Sequence, residues 1–260
     1  MVKRIIVCHI LLLTLLTAVG CTVTAVNTQP SITTAVVPSA TPPATATIIW
    51  FPATATYTPF PSPTQSEPTP DQHPGIGSLL LEDDFSDSSL WELRQSTFGS
   101  IAPGKNELTI AVQDEKTYLT SLRKEPELTN FYSEITTNPT LCLGVDEYGL
   151  LIRGSSIGYY RFSLSCDGQV RLDRIHNGEA AALQLWTPSG EVPIGAPSIS
   201  RLGVWAKGQE LRLFINDKFQ FSVRDPLLSI GRMGIFARST GDHSLTVNFS
   251  NLVVYQLQGE

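Results

Sequence analysis

From about Ser78 to the C-terminus, apolar and polar residues alternate along the chain. In "ELTIAVQ", Leu108, Ile110 and Val112 alternate with polar or small residues. In "YYRFSLSC", Tyr160, Phe162, Leu164 and Cys166 oppose Tyr159, Arg161, Ser163 and Ser165. "ELRLFINDKFQFSV" places Leu211, Leu213 and Ile215 before an Asn216-Asp217 turn and Phe219, Phe221 and Val223 after it. A period of two puts successive side chains on opposite faces of a strand, and runs split by Asn-Asp or Asp-Gly turns predict hairpins. No long stretch has the 3.6-residue period of an amphipathic helix. Around eleven or twelve short strands in about 180 residues predict an all-β, antiparallel two-sheet sandwich over residues 78–260, with Trp205 in its core.

The pattern is different upstream. Between Cys21 and residue 77 the chain is dominated by Thr, Pro, Ala and Ser, and Glu67 is the only charged residue from Thr22 to Pro70. Such a stretch has too little apolar periodicity to offset the entropy of ordering, so residues 21–77 are expected to form a disordered stalk. In a polyproline II conformation its fifty or so residues reach on the order of 150 Å. The apolar island "IIWF" at Ile48 to Phe51 is read as a chance patch within that linker, with docking on the folded domain or a neighbour as the alternative. Residues 1–20 have the form of an export signal: Lys3 and Arg4, then "IIVCHILLLTLLTAV", then small residues up to Cys21. The apolar run is shorter than the ~20 residues that cross a bilayer comfortably. "AVGC" resembles the bacterial lipobox, with Ala18 where that motif usually has leucine. The resemblance implies cleavage before Cys21 and lipidation of its thiol, and so a bacterial envelope protein tethered to the outer face of a membrane. The competing reading is an uncleaved signal anchor with an incidental cysteine.

Charge and cysteine usage narrow the partners. The chain has 18 basic and 24 acidic residues, a formal charge of −6, and no Lys/Arg run. Nucleic-acid binders usually carry a basic patch or stripe, so nucleic acid is excluded as a partner. Of four cysteines, Cys8 lies in the signal and Cys21 at the lipidation site, leaving Cys142 and Cys166 on separate strands. In an exported domain two such cysteines point to a disulfide, worth about 3 kcal/mol on chain-entropy grounds. The alternative is a pair of buried free thiols. No paired-cysteine spacing exists and His73, His176 and His243 are scattered, so no zinc site is expected. No cofactor motif is present, and a monomer is expected.

The order of features is more specific than the strand count. "LEDDFSD" and Trp91 open the domain. "DEYGLLIRG", "GYYRFSLSCDGQVRL" and "RLGVWAKGQELRLFIND" follow, then "RD", "GRMGIFARS" and "FSNLVV". The whole of residues 78–258 resembles the concanavalin A-like lectin/glucanase jelly-roll superfamily. Within it, the bacterial surface branch that includes 3-keto-disaccharide hydrolase-type domains is most similar. The resemblance implies a jelly-roll sandwich. It leaves function open, because the superfamily holds lectins, adhesion modules and glycosidases.

In family-16 glycoside hydrolases of this superfamily, acids alternate along one strand and flank the glycosidic bond about 5–5.5 Å apart. In "FYSEITTNP" the matching same-face positions are Glu134, Thr136 and Asn138, so a single carboxylate remains. A displaced partner from Asp146, Glu147, Asp167 or Asp173 would keep a hydrolase in play. The non-catalytic reading uses the face opposite Tyr160, Phe162 and Leu164. There Tyr159, Arg161, Arg171 and Asp173, joined by Arg153, Trp186 and Glu134, offer rings for stacking and charged groups for sugar hydroxyls. Ordinary cross-strand charge pairing is the competing explanation. Relatives often bind calcium near the chain ends, where Asp83 and Asp84 are available, but Ser250 stands where they commonly carry aspartate. The expected function is glycan or cell-surface polymer binding. The alternatives are a glycoside hydrolase with a displaced acid pair and a protein-interaction or adhesion module.

Overall fold

A computed structural model describes residues 70–241 and 243–258. The signal, Cys21 and most of the stalk lie outside the described residues. In chain order the strands are β1 (Ile76–Asp83), β2 (Arg94–Ser96), β3 (Gly99–Pro103), β4 (Leu108–Val112), β5 (Tyr118–Leu122), β6 (Phe131–Leu141), β7 (Glu147–Gly154) and β8 (Gly158–Ser165). They continue as β9 (Gln169–His176), β10 (Glu179–Pro188), β11 (Ser200–Lys207), β12 (Glu210–Ile215), β13 (Lys218–Arg224), β14 (Arg232–Arg238) and β15 (Leu245–Leu257). The only helical element among the described residues is a 3₁₀ turn at Ser88–Leu90.

The fifteen strands form two antiparallel sheets. The larger runs β13–β12–β11–β6–β15–β4–β3–β2, with β1 also paired to β15, and the smaller runs β10–β9–β8–β7–β14–β5. The expected jelly-roll sandwich is present. The thirteen-residue β15 serves two neighbours in turn, Leu245–Phe249 pairing β4 and Leu252–Leu257 pairing β1. Its pairing with β6 shifts register between Ser250 and Val253, where Asn251 takes φ 53°.

The predicted alternation builds the core. Leu108, Ile110, Val112, Tyr160, Phe162, Leu164, Leu211, Leu213 and Ile215 all point between the sheets and are buried. Asn216 and Asp217 have φ of 49° and 64°, and a two-residue hairpin with positive φ at both positions matches the twist of its strands. Phe219 departs from its expected face. A register shift beside Phe214 pairs it with Phe219 and pairs Leu213 with Phe221, so Phe219 leaves the core and meets the Phe214 ring at 5.7 Å.

Trp205 also departs from expectation. Leu202, Val204 and Ala206 take the inward positions of β11, so Trp205 falls on the outer face of the large sheet. It is buried there with Tyr132, Phe214 and Leu257. Residues 72–74 lie across this cluster. The Trp205 Nε1–H donates to the Pro74 carbonyl at 3.0 Å, Arg212 donates to the Gln72 carbonyl at 3.1 Å, and the His73 ring stacks on Phe214 at 3.8 Å. Regular structure therefore begins before residue 78, because an aromatic outer face gives the preceding chain something to cover.

Among the links that fasten one sheet to the other, three join their ends through buried groups. Cys142, just after β6, is bonded to Cys166, just after β8, with Cα atoms 5.6 Å apart. At the opposite end of β6, the buried Arg153 of β7 donates to the carbonyls of Thr129, Gly208 and Leu228 at 2.6–2.9 Å. The third link joins Asp83, at the end of β1, to Arg123, just after β5, at 2.8 Å; both are buried. Asp83 also accepts from the Phe85 N–H at 2.8 Å and the Trp91 indole at 3.1 Å.

Two outcomes test these links. Intact mass of the oxidised protein should be two hydrogens below the reduced form, and Cys142→Ser with Cys166→Ser should lower stability by about 3 kcal/mol in urea unfolding. Asp83→Asn keeps the side-chain shape but leaves the Arg123 charge buried without its counter-ion. It should cost about 3–5 kcal/mol, and an unchanged unfolding midpoint would show the pair to be dispensable.

Candidate functional site

The outer face of the six-stranded sheet collects side chains from far apart in sequence. Because Tyr160 and Phe162 point inward, Tyr159, Arg161 and Ser163 of β8 point outward. Register places Arg161 beside Asp173 of β9 and beside Leu151 of β7. Further along, β7 sets Gly149 beside Phe236 of β14 and Glu147 beside Arg238, which pairs in turn with Tyr118 of β5. Gly149 leaves the middle of the face without a side chain. A Cβ there would sit 2.0 Å from the Phe162 carbonyl oxygen and 3.3 Å from the Phe236 ring. Side chains from the flanking strands lie across that gap.

Asp173 organises the polar part. It is fully buried, and it accepts from Arg161 at 2.7 Å through one oxygen and from Arg171 at 2.8 Å through the other. Arg171 reaches over the Trp186 ring at 5.8 Å. The Arg161 guanidinium lies 5.6 Å from the Tyr118 ring centre and 5.8 Å from that of Phe236, distances at which a cation is drawn to an aromatic face. Burial opposes the charge on Arg161, but the Asp173 bond, with Tyr118 and Glu147 nearby, outweighs it and holds the guanidinium above its ordinary pKa. The hydroxyls of Tyr118 and Tyr159 meet at 3.2 Å. Burial, reinforced by Tyr159, pushes the Tyr118 phenol well above its usual range, so it stays a neutral donor. Above these groups opens a pocket of about 350 Å³, lined by Lys116, Tyr118, Tyr159, Arg161, Ile175 and Arg238 among others.

Five of the residues singled out from the pattern therefore share one face: Tyr159, Arg161, Arg171, Asp173 and Trp186. Two do not. Arg153 leaves the face at the end of β7, where φ is 53° and its head turns to three backbone carbonyls. Glu134 is on β6 of the other sheet, between Gly203 of β11 and Val253 of β15. It accepts from the Tyr132 hydroxyl at 2.5 Å and stands 3.6 Å from Arg201, which also pairs with Asp217. Its same-face neighbours along the strand are Thr136 and Asn138, as the alternation requires.

Sequence reasoning missed Tyr118, Phe236, Arg238, Lys116 and the use made of Glu147. Tyr118 begins the alternating stretch "YLTSL", and that alternation was the available signal. It could not say that β5 would lie three strands from β8.

The carboxylates that could have held calcium are otherwise engaged. Asp83 serves Arg123 and Trp91, while Asp84 accepts from the Ser86 N–H at 3.0 Å and from Asn106 at 3.0 Å. Among the described residues no three His, Cys, Asp or Glu side chains are gathered as a metal would need.

No known family profile matches the chain, and no curated protein matches it by sequence. Solved structures do match it in shape. The carbohydrate-binding module CBM66 of Bacillus subtilis superposes with a TM-score of 0.52 at 16% identity, covering 64% of this chain and 96% of the module. A Bacillus subtilis protein of unknown function with a galectin-like fold gives 0.54 at 13% identity, covering 71% of this chain and 99% of its own. The catalytic domain of an endo-1,3-β-glucanase (laminarinase) from Thermotoga petrophila gives 0.50 at 10% identity, covering 71% and 100%. A binding module and a catalytic domain thus share this shape, and at these identities the likeness concerns architecture alone: the chain has the concanavalin A-like jelly-roll fold.

Proposed function

We propose that the protein is a non-catalytic glycan-binding module, held at a bacterial cell surface by a lipid on Cys21 and displayed on the Thr/Pro-rich stalk. The observation that carries the binding reading is the outer face of the six-stranded sheet. Aromatic rings (Tyr118, Tyr159) and cationic heads (Lys116, Arg161, Arg238) line one open pocket there, the Arg171–Trp186 pair lies further along the same face, and Asp173 bonds both Arg161 and Arg171. Sugars stack on such rings and exchange hydrogen bonds with such heads. Side chains already locked in place lose little entropy on binding.

The hydrolase reading has less support. Asp173 is fully buried with both oxygens taken by arginines, so no glycosidic bond can approach it. Glu147 is also buried and bonds Arg238 at 3.3 Å. Glu134 is on the opposite sheet. A pair of carboxylates flanking one sugar, which retaining and inverting mechanisms both need, is not assembled on the pocket face.

Two experiments test the reading. A glycan array probed with the protein should give specific binding that Tyr159→Ala, which removes one ring from the pocket rim, weakens about tenfold, the scale of one stacked aromatic. Glu134→Gln, on the other face, should leave binding within twofold of wild type. The reverse ranking would move the site to the large sheet. A glycosidase activity that falls more than about a hundredfold in Glu134→Gln would establish an enzyme instead. For the anchor, Cys21→Ala should release the protein from the membrane fraction or block its processing. If that variant fractionates and migrates like wild type, the lipid anchor is wrong.

A further inference from the structure

We infer that the pocket on the six-stranded sheet takes an acidic sugar, a carboxylate- or sulfate-bearing saccharide, with Lys116 and Arg238 as the residues that select for its charge. The inference rests on the glycan-binding reading and narrows its ligand class.

The pocket lining includes Lys116, Arg161 and Arg238 and no carboxylate. The two acids below it, Asp173 and Glu147, are buried, and each is already bonded to arginine. The lining cations Lys116, Arg161 and Arg238 thus stand over two carboxylates, which leaves a local surplus of one positive charge. The surplus stands out on a chain whose formal charge is −6. A polyanion would be repelled by this protein as a whole, so attraction has to come from a local site of this kind.

The cations differ in what they have left to give. Arg161 is committed to Asp173 and to the rings of Tyr118 and Phe236. Arg238 lines the pocket, is about two-fifths exposed and spends one N–H of its planar fork on Glu147 at 3.3 Å. Lys116 is exposed, and no carboxylate pairs with it among the described residues. A guanidinium beside an ammonium suits a carboxylate or sulfate, because charge-assisted bonds to an anion are about twice as strong as neutral ones. Tyr118 and Tyr159 then offer ring faces and hydroxyls to the rest of the sugar.

The test measures binding of the full-length chain to two pairs of polymers that differ in charge on one backbone. Polygalacturonate is compared with its methyl ester, and dextran sulfate with dextran. The carboxylate and sulfate arms separate the two sources of negative charge. At least one charged polymer should bind about tenfold or more tighter than its uncharged counterpart, and raising the salt should weaken it. Lys116→Gln breaks no bond within the protein, so it should fold normally and lose about tenfold in affinity for the charged polymer. Arg238→Gln should do the same, with thermal melting to confirm folding. Equal binding within each pair, lost in Tyr159→Ala but not in Lys116→Gln, would overturn the acidic-sugar inference and leave glycan binding standing. A chain that binds neither these polymers nor any sugar on a mixed neutral and acidic array would overturn both.

Discussion

A single buried cation sets the closure of this sandwich. Arg153 is almost completely removed from water, yet among the described residues no carboxylate answers its charge. Its guanidinium donates instead to carbonyls of three connections, ahead of β6, between β11 and β12, and between β13 and β14. A guanidinium presents five N–H groups in a fixed fork, so one side chain can satisfy several backbone oxygens that the bends would otherwise leave dry. Burial lowers its pKa, and Tyr160 works against that shift. The backbone is shaped around it. Gly231 comes so close to the Arg153 carbonyl that an added Cβ would lie 2.4 Å from the oxygen.

The same end of the sandwich holds a second polar centre built on Tyr160, whose phenol burial pushes up to about 12. Its hydroxyl donates to Asp225 at 2.8 Å and accepts from the Leu228 N–H at 3.1 Å. Burial opposes ionisation of Asp225, but bonds from the Leu227 N–H, Tyr160 and Arg174 outweigh it and hold its carboxyl below the usual range. With the disulfide at the other end and the Asp83–Arg123 pair between β1 and β5, the sheets are pinned at several points. Purely apolar packing would leave them freer to slide, because hydrophobic contact has no direction. The pocket depends on that pinning. Its walls come from β5, β8, β9, β10 and β14, and a shift of one strand by a single residue would turn Arg161 or Tyr118 into the core.

The two outer faces do different work. On the large sheet, Tyr132, Trp205 and Phe214 are covered by the chain's own residues 72–74. Among the described residues no segment covers the smaller sheet in this way, and its charged and aromatic side chains screen one another. Arg161 and Asp173, on an outward face, are nearly as buried as the core because the arginine lies flat over Tyr118 and Phe236. Long side chains of this kind bury their stems and keep the polar head in use.

The alternation of apolar residues by itself determined the two-sheet class, the Asn216-Asp217 hairpin and most of the inward set of the core, because a strand's period of two is a local property, while fifteen strands form where eleven or twelve were expected. It also determined that Tyr159, Arg161, Arg171 and Asp173 share an outward face, since β8 and β9 are adjacent in sequence and joined by a tight turn. What lies three strands away is not a local property. Only the tertiary structure brought Tyr118 and Arg238 to Tyr159 and Arg161. It also sent Arg153 to the end of the sandwich through one positive φ and moved Trp205 outside the core, where an aromatic face waited for the preceding chain. Strand order follows from how the whole chain closes two layers around one apolar interior, and the pocket exists only once that order is set.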